Sequence, residues 1–162
     1  MIRVSLRDWI VKGELGPFRV GASKAELIRV VGHPDQAGCP EDGEDQVWKY
    51  GDLELLFTGP AHPFAVYCVE MHAFAGVPSG GRKLRLDPWI VRSELPLVDM
   101  RRALDGLGVT YREEVASHDA SNLNLVVRED PRIYLDFITS DRDGRAVGLR
   151  GLWMSEPRRA RF

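Results

Sequence analysis

The residues able to do chemistry are few and scattered along the chain. Cys68 and His72 are the only cysteine and histidine close in sequence on one expected strand face, and as a pair they would supply a nucleophile and its base. Four residues of extended chain separate them by roughly 13 Å, too far to share a hydrogen bond. His33, His62 and His118 fall in expected loops with no second ligand at zinc spacing, which makes them surface or turn residues. The acidic run Glu41-Asp42-Gly43-Glu44-Asp45 lacks the alternating ligands of a calcium loop, and Asp141-Arg142-Asp143-Gly144 lacks its distal glutamate. Both read as solvated turns, although the first would also present negative charge to a basic partner and steer its approach. On this reading the chain implies no metal, no cofactor and no enzymatic activity.

Composition narrows the class. A chain of 162 residues with 44% hydrophobic, 9% aromatic and 28% charged residues is an ordinary globular protein, long enough to bury a stable core without staples. Charge interrupts the first eight residues where a signal peptide needs an apolar run, and no stretch reaches the length of a membrane span. The expected location is the cytoplasm, where Cys39 and Cys68 would be free thiols. A net charge of −2 provides no global field for nucleic acid or for an acidic membrane surface. The excess of arginine over lysine has a bland explanation in GC-rich codon usage.

The elements that must position any site are organised by an internal echo. Trp9-Ile10-Val11-Lys12-Gly13-Glu14-Leu15 returns as Trp89-Ile90-Val91-Arg92-Ser93-Glu94-Leu95, and Leu53-Glu54-Leu55-Leu56-Phe57 has a partner in Ile133-Tyr134-Leu135-Asp136-Phe137. The spacing near eighty residues suits a small unit fused to its copy. Ser5 or Asp8 caps a helix over 7–12 that stops at Gly13. Ser23 caps a second helix, with Glu26 placed for a capping box and Gly32 as its stop. In the second copy Asp87-Pro88 is the expected start of a helix to Glu94, and Val98, Ala103, Leu104 and Leu107 form the apolar face of the next.

After the helices the period changes to that of strands: 47–50, 53–57 and 66–72, then 123–128, 133–138 and 146–154, with Gly51-Asp52 as a tight turn. Ile2-Arg3-Val4 and Leu84-Arg85-Leu86 are candidate edge strands. The expected fold is therefore α+β: two tandem repeats, 1–76 and 82–162, each of two short helices on an antiparallel β-meander. A short linker at 77–81 joins them into one two-layer body. Alternation puts Leu53, Leu55, Phe57, Ile133, Leu135 and Phe137 under the helices and leaves Glu54, Leu56, Tyr134 and Asp136 on the other face. Trp9 and Trp89 recur at equivalent places and read as core.

The motif Val20-Gly21-Ala22-Ser23-Lys24-Ala25-Glu26-Leu27, followed by Val31-Gly32-His33-Pro34, resembles the signature of a bacterial superfamily that includes the β-lactamase inhibitor proteins and the small outer-membrane assembly lipoproteins. With Val47-Trp48-Lys49-Tyr50-Gly51-Asp52-Leu53-Glu54-Leu55 it is also similar to uncharacterised bacterial proteins, some of them of the toxin-immunity type. The resemblance implies a concave sheet that wraps another protein. It does not carry over β-lactamase inhibition or membrane assembly, because the paired disulfide cysteines and the lipidated cysteine of those proteins have no counterpart here.

The functional expectation is a non-enzymatic protein-binding module, an inhibitor or immunity factor, acting through the open sheet face. Its partner would be another protein, such as a toxin or enzyme, and neither nucleic acid nor membrane. Trp48, Tyr50, Glu54, Tyr134 and Asp136 are the interface candidates, since buried aromatic anchors dominate binding energy, with Glu44 and Asp45 as rim charges. Trp153 and Tyr67 sit on strands whose facing the sequence leaves open. The alternatives are a small-molecule-binding module with a cleft between the repeats, and a structural or assembly adaptor.

Overall fold

A sheet of eight antiparallel strands dominates the chain. The computed structural model describes residues 1–38, 46–59, 65–72, 74–116, 119–139 and 147–156. In chain order these form β1 (Ile2–Ser5), α1 (Leu6–Lys12), α2 (Lys24–Val30), β2 (Gln36–Gly38), β3 (Val47–Tyr50), β4 (Leu53–Phe57) and β5 (Val66–His72). There follow β6 (Leu84–Asp87), α3 (Leu97–Gly106), β7 (Arg112–Ala116), β8 (Asp119–Glu129), β9 (Arg132–Ile138) and β10 (Gly148–Ser155). The large sheet has the order β2-β3-β4-β5-β10-β9-β8-β7, two four-stranded meanders joined edge to edge where β5 pairs with β10. β1 and β6 do not join it; they pair with each other, in parallel, as a separate two-stranded sheet.

The two N-terminal helices form for the local reasons visible in the sequence. The Ser5 hydroxyl accepts from the Asp8 N–H, Lys12 pairs with Asp8 at 2.9 Å one turn away, and Gly13 ends α1 at φ 81°. The Ser23 hydroxyl accepts from the Glu26 N–H at the start of α2, while the Glu26 carboxylate is gripped by Arg19 at 3.0 Å.

The expected α+β pair of helix-helix-meander repeats is overturned: the fold is mostly β, with three helices among the described residues, and the second half holds only α3. Residues 88–94 are turns. The Asp87 carboxylate that reads as a helix cap lies at the end of β6 and accepts from the Trp89 N–H at 3.3 Å. Trp89 (φ 54°) and Glu94 (φ 60°) are left-handed, a conformation that cannot continue a right-handed helix. Glu94 and Leu95 instead exchange backbone hydrogen bonds with Leu149 of β10, which holds this segment against the sheet. Trp9 is fully buried on α1, whereas Trp89 is half-buried in a turn, so the two tryptophans are not structural equivalents. On α3 the buried residues are Met100 and Leu104; Val98 and, just past the helix end, Leu107 face solvent.

Residues 77–81 are packed rather than free. Ser79 exchanges hydrogen bonds with Asp52 at the β3–β4 turn, at 2.7 and 2.8 Å. At Gly81 a side chain would meet the Asp35 carboxylate at 2.0 Å. One contiguous core draws on both halves: Trp9, Phe18, Leu27, Met100 and Leu104 pack with Leu53, Leu55, Phe57, Val69, Met71, Leu135, Phe137 and Leu152. The helices therefore lie on the sheet face carrying Leu55 and Leu135, and the alternate residues of every strand point the other way.

Candidate functional site

Register puts the chemistry of that second face into lines. Directly opposed residues share a face, and the pairings run Lys49, Glu54, Glu70, Trp153, Tyr134, Val126, Arg112 from β3 across to β7. The adjoining line one way is His72, Gly151, Asp136, Asn124, Glu114, and the other way Leu56, Cys68, Ser155, Arg132. Beside the first line the face is a layer of long side chains lying over short ones: Cys68, Val126 and Asp136 are buried, while Lys49, His72, Tyr134 and Trp153 remain partly exposed.

Trp153 is the centre of the layer. The edge of its indole comes close to Gly151, where an added Cβ would sit 2.5 Å from Cη2. On one side it stacks on Tyr134, with centroids 5.3 Å apart and planes within 5°; on the other it stacks on His72 at 6.2 Å and 8°. The Arg132 guanidinium lies 5.7 Å above the Tyr134 ring, extending the stack to four groups. Gly151 is what permits this, since any side chain there would lift the indole off the strand.

The electrostatics divide the layer into two parts. On the β3–β5 side, Lys49 Nζ pairs with Glu54 at 2.7 Å, and Glu70 is held from several directions. Trp153 Nε1 donates to Glu70 Oε2 at 3.0 Å, the Cys68 thiol points at the same oxygen from 3.9 Å, and His72 Nδ1 lies 3.2 Å from Oε1. Burial, reinforced by the Glu70 charge, pushes the Cys68 thiol up to about 12, so it stays protonated at neutral pH and is no nucleophile. On the β7–β9 side, the Arg132 side chain is only 8% exposed and is bonded by Glu114 and Glu129. Burial works to raise the Glu114 carboxyl, but its bonds to Arg112 and Arg132 outweigh burial and hold it below the ordinary carboxyl value. Asp136 is buried and paired with Arg150.

The sequence-predicted site residues scatter against this geometry. Tyr134 lies in the stack, Glu54 stands beside Glu70, and Asp136 is on the same face but buried. Trp48 and Tyr50 are corrected: both are on the core face, Trp48 packed edge-on against Phe57 and Tyr50 fully buried, its hydroxyl donating to the Gly32 carbonyl at 2.9 Å. The reason is register. A two-residue turn at Gly51-Asp52 opposes Tyr50 to Leu53 and Trp48 to Leu55, so all four point under the helices. Glu44 and Asp45 lie outside the described residues. Missed from sequence were Glu70 and Arg132, and His72 figures there only as a base for Cys68. The separation of Cys68 from His72 along β5 left out Glu70, which stands between them and contacts both.

The other recess of note, about 500 Å³ and open, is lined by Arg3, Arg7, Asp8, Glu14 and Asp87 beside β1. Of its charges, Arg3 is engaged with Asp87 and Asp8 with Lys12, and its lining is more polar than apolar. No protein-family model, curated protein or solved structure matches the chain, so nothing there bears on the likeness to the β-lactamase inhibitor proteins. No helix among the described residues is long and apolar enough to cross a membrane.

Proposed function

We propose that this chain is a non-enzymatic binding protein that takes another protein against the Trp153 face of its sheet, as an inhibitor or immunity factor in the bacterial cytoplasm. The observation that carries the reading is the Arg132–Tyr134–Trp153–His72 stack on the face opposite the helices. Arginine, tyrosine and tryptophan are the residue types that dominate interface energetics, and here each ring is held in place before any partner arrives. Ordering costs on binding are correspondingly low. The protonated Cys68 thiol favours recognition over covalent catalysis at this place.

The test uses the full chain as bait, beside a Trp153→Ala, Tyr134→Ala variant with an unchanged circular dichroism spectrum. The wild type should retain a partner from the native cell that the variant loses. Affinity for the purified partner should fall by at least about thirtyfold, the equivalent of truncating one anchor at about 2 kcal/mol. Equal capture and equal affinity by the folded variant would remove the interface from this face.

A further inference from the structure

We propose that Glu54, Glu70 and His72 bind a divalent transition-metal cation of the zinc class. Each offers one donor atom, and the three donors lie within 4.8 Å of one another. Tetrahedral ligands at about 2.0–2.1 Å from zinc stand roughly 3.3–3.5 Å apart, so small side-chain rotations close the set. The site does not depend on the face docking a partner.

Three features set this cluster apart from a chance group of surface acids. First, Glu54 and Glu70 are directly opposed across β4 and β5, and their side chains are only 14% and 15% exposed. Like charges in that relation repel, and Lys49 supplies a counter-charge to Glu54 alone. Second, His72 Nδ1 is buried and within ion-pair distance of Glu70 Oε1 at 3.2 Å, and it makes no hydrogen bond with any described group. A buried nitrogen and a carboxylate oxygen this close, with no hydrogen bond between them, need only small rotations to meet on one ion. Third, the surrounding contacts orient the ligands as metal sites require. Trp153 and Cys68 both hold Glu70 Oε2, which leaves Oε1 turned to His72, and the stack on Trp153 fixes the imidazole plane.

The donor set selects the ion. One imidazole and two carboxylates suit Zn2+, Co2+ or Ni2+, whereas Mg2+ and Ca2+ prefer oxygen alone. His72 and Lys49 are about 40% exposed, so an ion has a route in, Lys49 can swing clear on its flexible stem, and water can complete the coordination.

The experiment is Zn2+ titration of the chelator-treated full chain by calorimetry, with Mg2+ and Ca2+ in parallel. One equivalent of Zn2+ should bind. His72→Ala and Glu70→Gln should each weaken it by at least about tenfold, the low end for altering a metal site, while His33→Ala leaves it unchanged. The wild type also provides a readout independent of whether those variants fold. Co2+ bound at His72 should quench tryptophan emission, and Trp153→Phe should abolish most of that quenching. No uptake at about 1 mM Zn2+, equal binding of Mg2+, full affinity in His72→Ala, or Co2+ quenching that survives in Trp153→Phe would each overturn the site.

Discussion

Replacing Gly151 with alanine tests the geometry of the aromatic layer with one methyl group. In an ordinary strand that change stabilises, by about 0.5–1 kcal/mol, because glycine loses more freedom on folding. Here the sign should reverse. The new Cβ would stand 2.5 Å from Trp153 Cη2, 2.8 Å from Cζ3 and 2.8 Å from the Met71 carbonyl oxygen. That is roughly 1 Å short of van der Waals contact with the ring. The indole must lift, which breaks its hydrogen bond to the Glu70 carboxylate, worth about 1.5–3 kcal/mol, and loosens two stacked pairs worth about 0.5–1.5 kcal/mol each. Partial exposure of the face returns some of this through hydration, so the expected net destabilisation is about 1–3 kcal/mol, or about 2–12 °C in Tm for a chain of this size. The assay is thermal unfolding by circular dichroism, with tryptophan emission shifting to the red. A double-mutant cycle with Trp153→Ala isolates the ring: the alanine should cost less once the indole is gone, retaining only the Met71 contact. A Gly151→Ala protein as stable as wild type, or a coupling energy below about 0.5 kcal/mol, would refute the close packing of the Trp153 ring edge against Gly151.

Phe57→Ala and Phe137→Ala, both in the fully buried core, should each cost about 3–5 kcal/mol by urea unfolding, while Glu54→Gln on the opposite face stays far below that. Tyr50→Phe should lose about 0.5–1.5 kcal/mol with its bond to the Gly32 carbonyl. Burial raises the Tyr50 phenol to about 12, so its contribution is complete below pH 10 and is lost as pH climbs from there to about 12; the Phe variant should lack that part of the alkaline fall in stability. Glu114 behaves in the opposite sense. Its folded value is depressed, so its contribution is present above the ordinary carboxyl value of 4.5 and disappears as pH falls through the lower folded one. The stability gap between wild type and Glu114→Gln, measured by urea unfolding from pH 7 downward, should narrow only in that acid range.

Local rules carried the sequence reading as far as elements closed by their own neighbours. Ser5 and Ser23 cap their helices, Gly13 ends the first, and β3, β4 and β5 have the bounds that period-two alternation and the Gly51-Asp52 turn dictate. The reading failed where a distant strand overruled a local signal. Asp87-Pro88 has the chemistry of a helix start, but Leu149 of β10 captures the backbone at Glu94 and Leu95, and Trp89 turns left-handed. Trp48 and Tyr50 differ in kind, because the signal that turns them inward is local. Once Leu53 and Leu55 are assigned inward, a two-residue turn forces their opposed partners inward as well. Trp153 was undecidable from sequence for a reason found in the ladder. The register between β10 and β9 shifts between Leu149 and Gly151, and alternation counted along β10 loses its parity at such a bulge.

The cluster at Glu54, Glu70 and His72 was hidden for another reason: its surroundings are assembled across the join between the meanders. β4 and β9 occupy corresponding places on either side of the β5–β10 seam, and so do β5 and β10 themselves. The pairings place Glu54 beside Glu70, Glu70 opposite Trp153, and Trp153 beside Tyr134. At corresponding positions the first half therefore supplies carboxylates and the second half aromatic rings, and they meet only at the seam. Among the described residues, neither half by itself contains a carboxylate bonded by an indole, or a histidine stacked on one. Taken alone, the first half shows two acids and a histidine and the second shows two aromatics, each with an ordinary explanation. The join alone makes Trp153 a donor to Glu70 and a platform for His72, turning those residues into a preorganised set.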